Sequence, residues 1–177
     1  MNRNFAENEL KCSVAQALSL IGDSWSILIL RDFMIFGGTR RFEQLREALG
    51  ISRNVLTERL RTLYDQEIIR KSPVEEGARR MEYKLSRKGW QLMPIMLAFH
   101  QWYERWRSDP VNSAFKFKDA LSNSEIAQIS VFSKDGRELG PSDLYAYPAT
   151  ESAKKYLDAF KSEPKKTEIK KKLAVHS

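Results

Sequence analysis

The sequence predicts a mainly α-helical fold with one small β-hairpin, followed by a small α+β appendage at the C-terminus. Helical spacing of apolar residues recurs through residues 12–65, and apolar and polar side chains alternate strictly over residues 81–86. The composition agrees: 42% hydrophobic with only 8 Gly and 6 Pro in 177 residues, enough apolar surface for a core and too little Gly or Pro for a fibrous or mainly disordered chain. The length suits one domain with an appendage, divided here as 1–110 and 111–177.

The elements follow in order. In residues 12–22, Val14, Ala17, Leu18 and Ile21 fall at i, i+3, i+4 and i+7, an amphipathic stripe that Gly22 stops. Asp23 or Ser24 then caps WSILILRDFMIF, apolar on most sides and therefore a buried core helix, interrupted by Arg31 and Asp32 and ended by Gly37-Gly38. At about a dozen residues it is well short of the ~20 needed to span a bilayer. After Thr39-Arg40-Arg41, the stretch FEQLREALG places Phe42, Leu45, Ala48 and Leu49 on one face and stops at Gly50. Ser52 is a good N-cap for the next helix, whose Leu56, Leu60 and Leu63 form the buried stripe.

The opposite face of that helix is polar. Arg53, Thr57 and Arg61 recur at steps of four with Asn54 and Glu58 beside them, so side chains able to bond base edges or phosphates share one face. Two short helices joined by a Gly-containing turn, the second polar outward, make a helix-turn-helix. IIRKSPVE, a Glu-Gly-Ala-Arg-Arg tip and RRMEYKLS then read as strand, turn and strand: a wing, with Arg79 and Arg80 where a minor-groove or phosphate contact is made. A long helix capped by Ser86 and bent near its start by Pro94 carries Met96, Phe99, Trp102 and Trp106, and Asp109-Pro110 ends it. The whole is a winged helix-turn-helix.

Charge is distributed to match. The formal net charge is +7, and Arg dominates the basic residues of 1–110 while Lys dominates those of 111–177. Guanidinium forks suit phosphate and guanine edges, whereas ammonium groups supply diffuse charge. The basic excess concentrates in residues 39–61 and 79–88, the helix-turn-helix and the wing.

Taken together, IGDSWSILILRDF, RRFEQLREALGISRNVLTERLRTLYDQEII and MEYKLSRKG, with Cys12, Val14 and Ala15 opening the first helix, resemble the HxlR-type family of bacterial winged helix-turn-helix transcriptional regulators, a branch close to the MarR-like proteins. The resemblance covers roughly residues 10–107. It implies a homodimer reading a two-fold-related operator in double-stranded DNA, with the helix from Ser52 in the major groove, the Arg79-Arg80 wing flanking it, terminal helices joining the subunits, and half-sites one or two turns of roughly 34 Å apart. The expected function is transcriptional regulation, with repression the expected mode. Family members usually have Pro where this chain has Ser13, and often Gly-Lys where it has Asp23-Ser24, so the behaviour of the first helix transfers less safely than the reading face. Residues 126–148 are similar to a tail on longer relatives: strand, Asp-Gly turn, strand.

Each candidate has a plainer reading. The face from Ser52 through Arg53, Asn54, Thr57 and Glu58 to Arg61 is either a DNA-reading surface or a solvated one. Arg40 and Arg41, before a helix start, either hold a phosphate or are surface charges at a strand edge. Cys12, at a helix start beside Lys11, has two neighbours that favour thiolate, and some relatives carry a redox or electrophile sensor there; the alternative is a small packed side chain. Met96, Phe99, Trp102 and Trp106 form either a core and dimer face or the lining of a small-molecule effector pocket. His100 and Glu104 are too few ligands for a metal site, and no metal or cofactor is expected. The Lys-rich end reads as a helix up to Pro164, serving solubility or nonspecific attraction to phosphates.

Other classes fit less well. There is no glycine-rich phosphate loop, H-E-x-x-H or G-x-S-x-G, so an enzyme is not expected. The different-class alternative is a winged-helix module for protein or RNA interaction without operator specificity. A single cysteine and an N-terminal stretch without an apolar core lead to the expectation of a reduced, cytoplasmic protein with no membrane partner.

Overall fold

The computed structural model describes residues 12–75, 79–107 and 115–160. Helix α1 spans Ser13–Ile21 and α2 spans Ser24–Ile35, the two bent by 79° at Gly22-Asp23. Asp23 is the α2 cap: its Oδ1 accepts the backbone N–H of Ser26 at 3.0 Å and its Oδ2 the Ser26 hydroxyl at 2.5 Å. Strand β1 (Thr39–Arg41), α3 (Phe42–Leu49), α4 (Arg53–Asp65), β2 (Ile69–Pro73) and β3 (Met81–Leu85) follow. Then come a single turn α5 (Arg87–Trp90) and the long α6 (Met93–Trp106). Among the described residues no single helix is long and apolar enough to cross a membrane.

The core forms where the sequence stripes converge. Ile29, Leu30 and Phe33 of α2 meet Leu45 of α3, Leu56, Leu60 and Leu63 of α4, and Ile51, Ile68, Ile69 and Leu85 from the turns and strands. All are buried, and each fully buried aliphatic or aromatic side chain contributes roughly 1.5–3 kcal/mol of transfer free energy. The three antiparallel strands run in the order β1-β3-β2, with Arg40 opposite Tyr83 on one side and Lys71 opposite Tyr83 on the other. Residues 39–41, expected only as a short connection or strand edge, are thus the third strand, which ties the start of α3 to the wing.

Two glycines permit this join. Gly50 closes α3 in the left-handed conformation (φ +60°), which turns the chain into α4 within three residues. Gly38 (φ +83°) lies so close to Trp90 that a Cβ there would come within 2.5 Å of the indole, and its carbonyl accepts the N–H of Leu85 at 2.7 Å.

The long helix expected after Ser86 is divided. Ser86 does cap a helix, accepting the N–H of Gly89 at 3.1 Å while donating its hydroxyl to the Glu67 carbonyl at 2.6 Å, but that helix stops after one turn. Pro94, which cannot donate a backbone hydrogen bond, stands in the first turn of α6 rather than bending a continuous helix. The expected stop at Asp109-Pro110 lies outside the described residues; α6 is capped at Arg107.

The α1 stripe forms as a helix ended at Gly22, but most of it is not covered by the chain's own core. Only Ile21 is buried, while Val14 is 67% exposed and Leu18 is likewise open to solvent. On α6 no residue is fully buried. Residues 115–129 belong to the first compact unit, which runs to Ile129; there Gln101 donates to the Ala127 carbonyl (3.0 Å) and accepts from the Ile129 N–H (2.8 Å).

The second unit begins at Ser130. It holds the hairpin expected within residues 126–148, as the two-residue strands β4 (Val131–Phe132) and β5 (Glu138–Leu139), with the Gly136 N–H closing the turn onto the Ser133 carbonyl at 3.0 Å. Helix α7 spans Glu151–Phe160, and the Lys-rich residues 161–177 lie outside the described residues.

Candidate nucleic-acid interface

Helix α4 sorts its side chains by depth. Leu56, Leu60 and Leu63 are fully buried, while Ser52, Arg53, Asn54, Thr57, Glu58 and Arg61 are all exposed. The 3.6-residue period puts one set in the core and the other on the outer face of the same thirteen residues. Ser52 caps the helix, its Oγ 3.4 Å from the Val55 N–H, and Thr57 donates back to the Arg53 carbonyl at 2.8 Å. Arg61 lies 3.6 Å from Asp65 one turn on, a pair open to water on both sides. Asn54 is exposed and its side chain makes no hydrogen bond among the described residues, so its amide has both a donor and an acceptor to offer.

Arg53 is held from the preceding helix. Its Nη2 donates to Glu43 Oε1 at 2.7 Å, and its guanidinium lies 5.2 Å from the centre of the Phe42 ring. The other carboxylate oxygen of Glu43 accepts from Arg46 Nε at 2.6 Å. The hydrogen bond from Arg46 first, and that from Arg53 with the charge of both, hold the Glu43 carboxyl below the ordinary carboxylate range. Sequence reasoning missed this clamp; the signal was available in an acidic residue ten positions before Arg53, one helix-turn-helix away.

Arg40 and Arg41 separate. Arg41 is exposed at the N-cap of α3, its backbone N–H donating to Gln44 Oε1 at 2.9 Å, and its guanidinium makes no ion pair among the described residues. Arg40 instead turns inward: its Nε lies 2.7 Å from Asp32 Oδ2, with side chains only 12% and 4% exposed, and its guanidinium stacks 4.0 Å over the Phe36 ring. The phosphate expectation for Arg40 gives way to this one, because Asp32 in the middle of a core helix needs a charged partner. Asp32 interrupting the most apolar helix was the sequence signal.

The wing presents Arg79 and Arg80, both exposed, at its tip, with Lys71 and Lys84 exposed further down the paired strands. The Arg80 carbonyl accepts the Val74 N–H at 3.0 Å, so the ladder continues up to the tip; residues 76–78 of the expected tip lie outside the described residues.

The remaining candidates fall elsewhere. Cys12 is exposed at the N-cap of α1 and makes no capping bond. On α6, Met96 is half-buried, whereas Phe99, Trp102 (63%) and Trp106 (71%) are exposed. His100 meets the Phe117 ring edge-on at 5.1 Å, and Glu104 accepts from Arg107 at 3.0 Å.

A helix-turn-helix with a polar, Arg-bearing outer helix, braced by a three-stranded sheet whose hairpin is basic, defines a winged helix-turn-helix protein. The family profile of HxlR-like helix-turn-helix proteins matches residues 20–110, and the chain belongs to that family. It is 36% identical over 106 residues to the HTH-type transcriptional regulator Rv3095 of Mycobacterium tuberculosis, a match over 60% of this chain and 66%, just under two thirds, of that one. It is 38% identical over 96 residues to the HTH-type regulator sll1512 of Synechocystis, covering 54% of this chain and 70% of that one. Among solved structures it is similar to PA1607, a candidate transcription factor, with a TM-score of 0.70 and 34% identity over 77% of this chain and 94% of that one.

Proposed function

We propose that this chain is a sequence-specific regulator, a repressor, that binds a two-fold-related operator as a homodimer in the cytoplasm. Residues 1–110 serve as the DNA-binding and dimerisation domain, with 111–177 as an appendage to it. The observation that carries the reading is the exposed face of α4. Arg53, Asn54, Thr57, Glu58 and Arg61 enter the major groove, Ser52 and Arg41 meet flanking phosphates, and Arg79 and Arg80 reach the backbone or minor groove beside it.

Dimerisation is supported by the open apolar faces of α1 (Val14, Leu18) and α6 (Phe99, Trp102, Trp106), since monomers rarely leave large apolar patches in water. Cys12, exposed at the start of α1, is the candidate thiol through which an oxidant or electrophile alters DNA affinity.

Selection of binding sites from a random duplex pool, at near-physiological salt and with or without diamide, tests the reading. Recovery of an inverted repeat is the expected result, and salt-sensitive binding with no motif overturns it. Diamide acting equally on the Cys12→Ser variant removes the thiol from the account.

A further inference from the structure

Helices α3 and α4 bring a carboxylate and a guanidinium side by side on the outer surface of the helix-turn-helix. Arg53, the first residue of α4, donates from Nη2 to Glu43 Oε1 at 2.7 Å, and the side chains are 66% and 50% exposed, so the pair faces solvent and not the core. Both members are also held from outside the pair. Arg46 donates from Nε to the second Glu43 oxygen at 2.6 Å, which anchors the carboxylate whichever partner its first oxygen takes. The Phe42 ring lies 5.2 Å from the Arg53 guanidinium. At neutral pH both Glu43 oxygens only accept, whereas Arg53 only donates and can present two N–H groups in one plane.

Across the major groove a G·C pair shows two acceptors on guanine, N7 and O6, and then one donor, the N4 amino group of cytosine. An arginine beside a carboxylate shows the complementary row: donor, donor, acceptor. An A·T pair sets the adenine amino group against the guanidinium and thymine O4 against the carboxylate, and T·A and C·G also oppose like groups. We propose that Arg53 and Glu43 together read one G·C pair in each half-site, Arg53 bonding guanine and Glu43 accepting from the cytosine amino group. On binding, the Arg53 donor leaves Glu43 Oε1 for guanine and the freed oxygen takes the cytosine N–H, so no group is left unpaired. A phosphate offers that oxygen no hydrogen and repels it, so the carboxylate also biases Arg53 towards a base edge. The proposal rests on the regulator reading and adds to it which base pair the start of α4 selects.

The test is binding selection from a random duplex pool with the full chain and its Arg53→Ala and Glu43→Ala variants, followed by titration of the recovered site with altered bases. The wild type is expected to recover a motif with one G·C pair per half-site at which each variant lowers the preference for G·C by about tenfold, the rest of the motif being kept. The ratio between sequences is the readout, because losing a carboxylate near DNA raises affinity for every duplex alike. Replacing the cytosine at that position by pyrimidin-2-one, which lacks only the amino group, should weaken the wild type by about fivefold and leave Glu43→Ala unaffected. Guanine replaced by 7-deazaguanine should likewise weaken the wild type and leave Arg53→Ala unaffected. These base changes act on the wild-type chain, so they decide the matter even if a variant fails to fold. A motif with no position that responds to both variants, or wild-type binding indifferent to loss of the cytosine amino group, overturns the proposal and leaves the regulator standing. Recovery of no motif overturns both.

Discussion

The Glu43 carboxylate joins the two helices of the helix-turn-helix, one oxygen on Arg46 of its own helix at 2.6 Å and the other on Arg53 of the next at 2.7 Å. The first exposed guanidinium of α4 is therefore already paired with a carboxylate, and on the proposed reading DNA binding exchanges that partner for a base edge or a phosphate.

Glu43→Gln removes that competitor and one negative charge beside the DNA. Exposed pairs of this kind are weak and screened by salt, so nonspecific duplex affinity should tighten by no more than about fivefold at low salt, with the gain shrinking as salt rises. Fluorescence anisotropy across a salt series reads this directly. The pH dependence has a fixed sign: Glu43 has its folded-state pKa depressed, so the clamp is present above the ordinary carboxylate value of 4.5 and is lost only as pH falls below it. The affinity ratio of variant to wild type should stay constant from about pH 7 to about pH 5.

Phosphate-facing and base-facing residues should fail differently. Arg41→Ala or Arg80→Ala should weaken every duplex alike and reduce the slope of log affinity against log salt by about one. Asn54→Ala should leave that slope unchanged and relax the preference at one base position, worth about 1–3 kcal/mol. Selection with each variant distinguishes the outcomes, and a shifted motif in Arg80→Ala would move the wing from backbone to base contact.

Asp32 and Arg40 should matter to stability. Asp32→Ala leaves a nearly buried guanidinium without its carboxylate, and losing one partner of such a pair costs about 3–5 kcal/mol. Urea unfolding should show this as a lower midpoint with an unchanged slope. Replacing both residues with apolar ones, Asp32→Leu with Arg40→Met, should recover much of the loss, which a phosphate-contacting role for Arg40 does not predict.

How much of this was legible in the sequence depends on whether the cause was local. The stripe Leu56, Leu60, Leu63 and the polar face behind it follow from helix period alone, as do the alternation in β3 and the caps at Asp23, Ser52 and Ser86. The inward turn of Arg40 and the Glu43 clamp are tertiary: they join residues eight and ten positions apart across a change of element. No periodicity reports such a meeting. The α1 stripe is amphipathic by its spacing, but amphipathicity says only that a face seeks cover. Which surface covers it depends on atoms outside the chain's own core.

The aromatic face of α6 turns that last point into a prediction. Trp102 and Trp106 are mostly exposed in the single chain, although tryptophan ordinarily buries most of its area and dominates the interfaces it enters. If α6 joins two copies, Trp102→Glu or Trp106→Glu places a carboxylate in an apolar interface. Each variant should then sediment as a monomer where the wild type sediments as a dimer. The core of α2, α3 and α4 does not include either residue, so far-UV circular dichroism should be unchanged. An inverted repeat bound by one dimer presents two half-sites to a single ligand, and separating the subunits forfeits that effective concentration. The monomeric variants should therefore lose about a hundredfold or more in affinity for the full site while binding an isolated half-site as the wild type does. A wild-type chain that sediments as a monomer would transfer the face to some other partner.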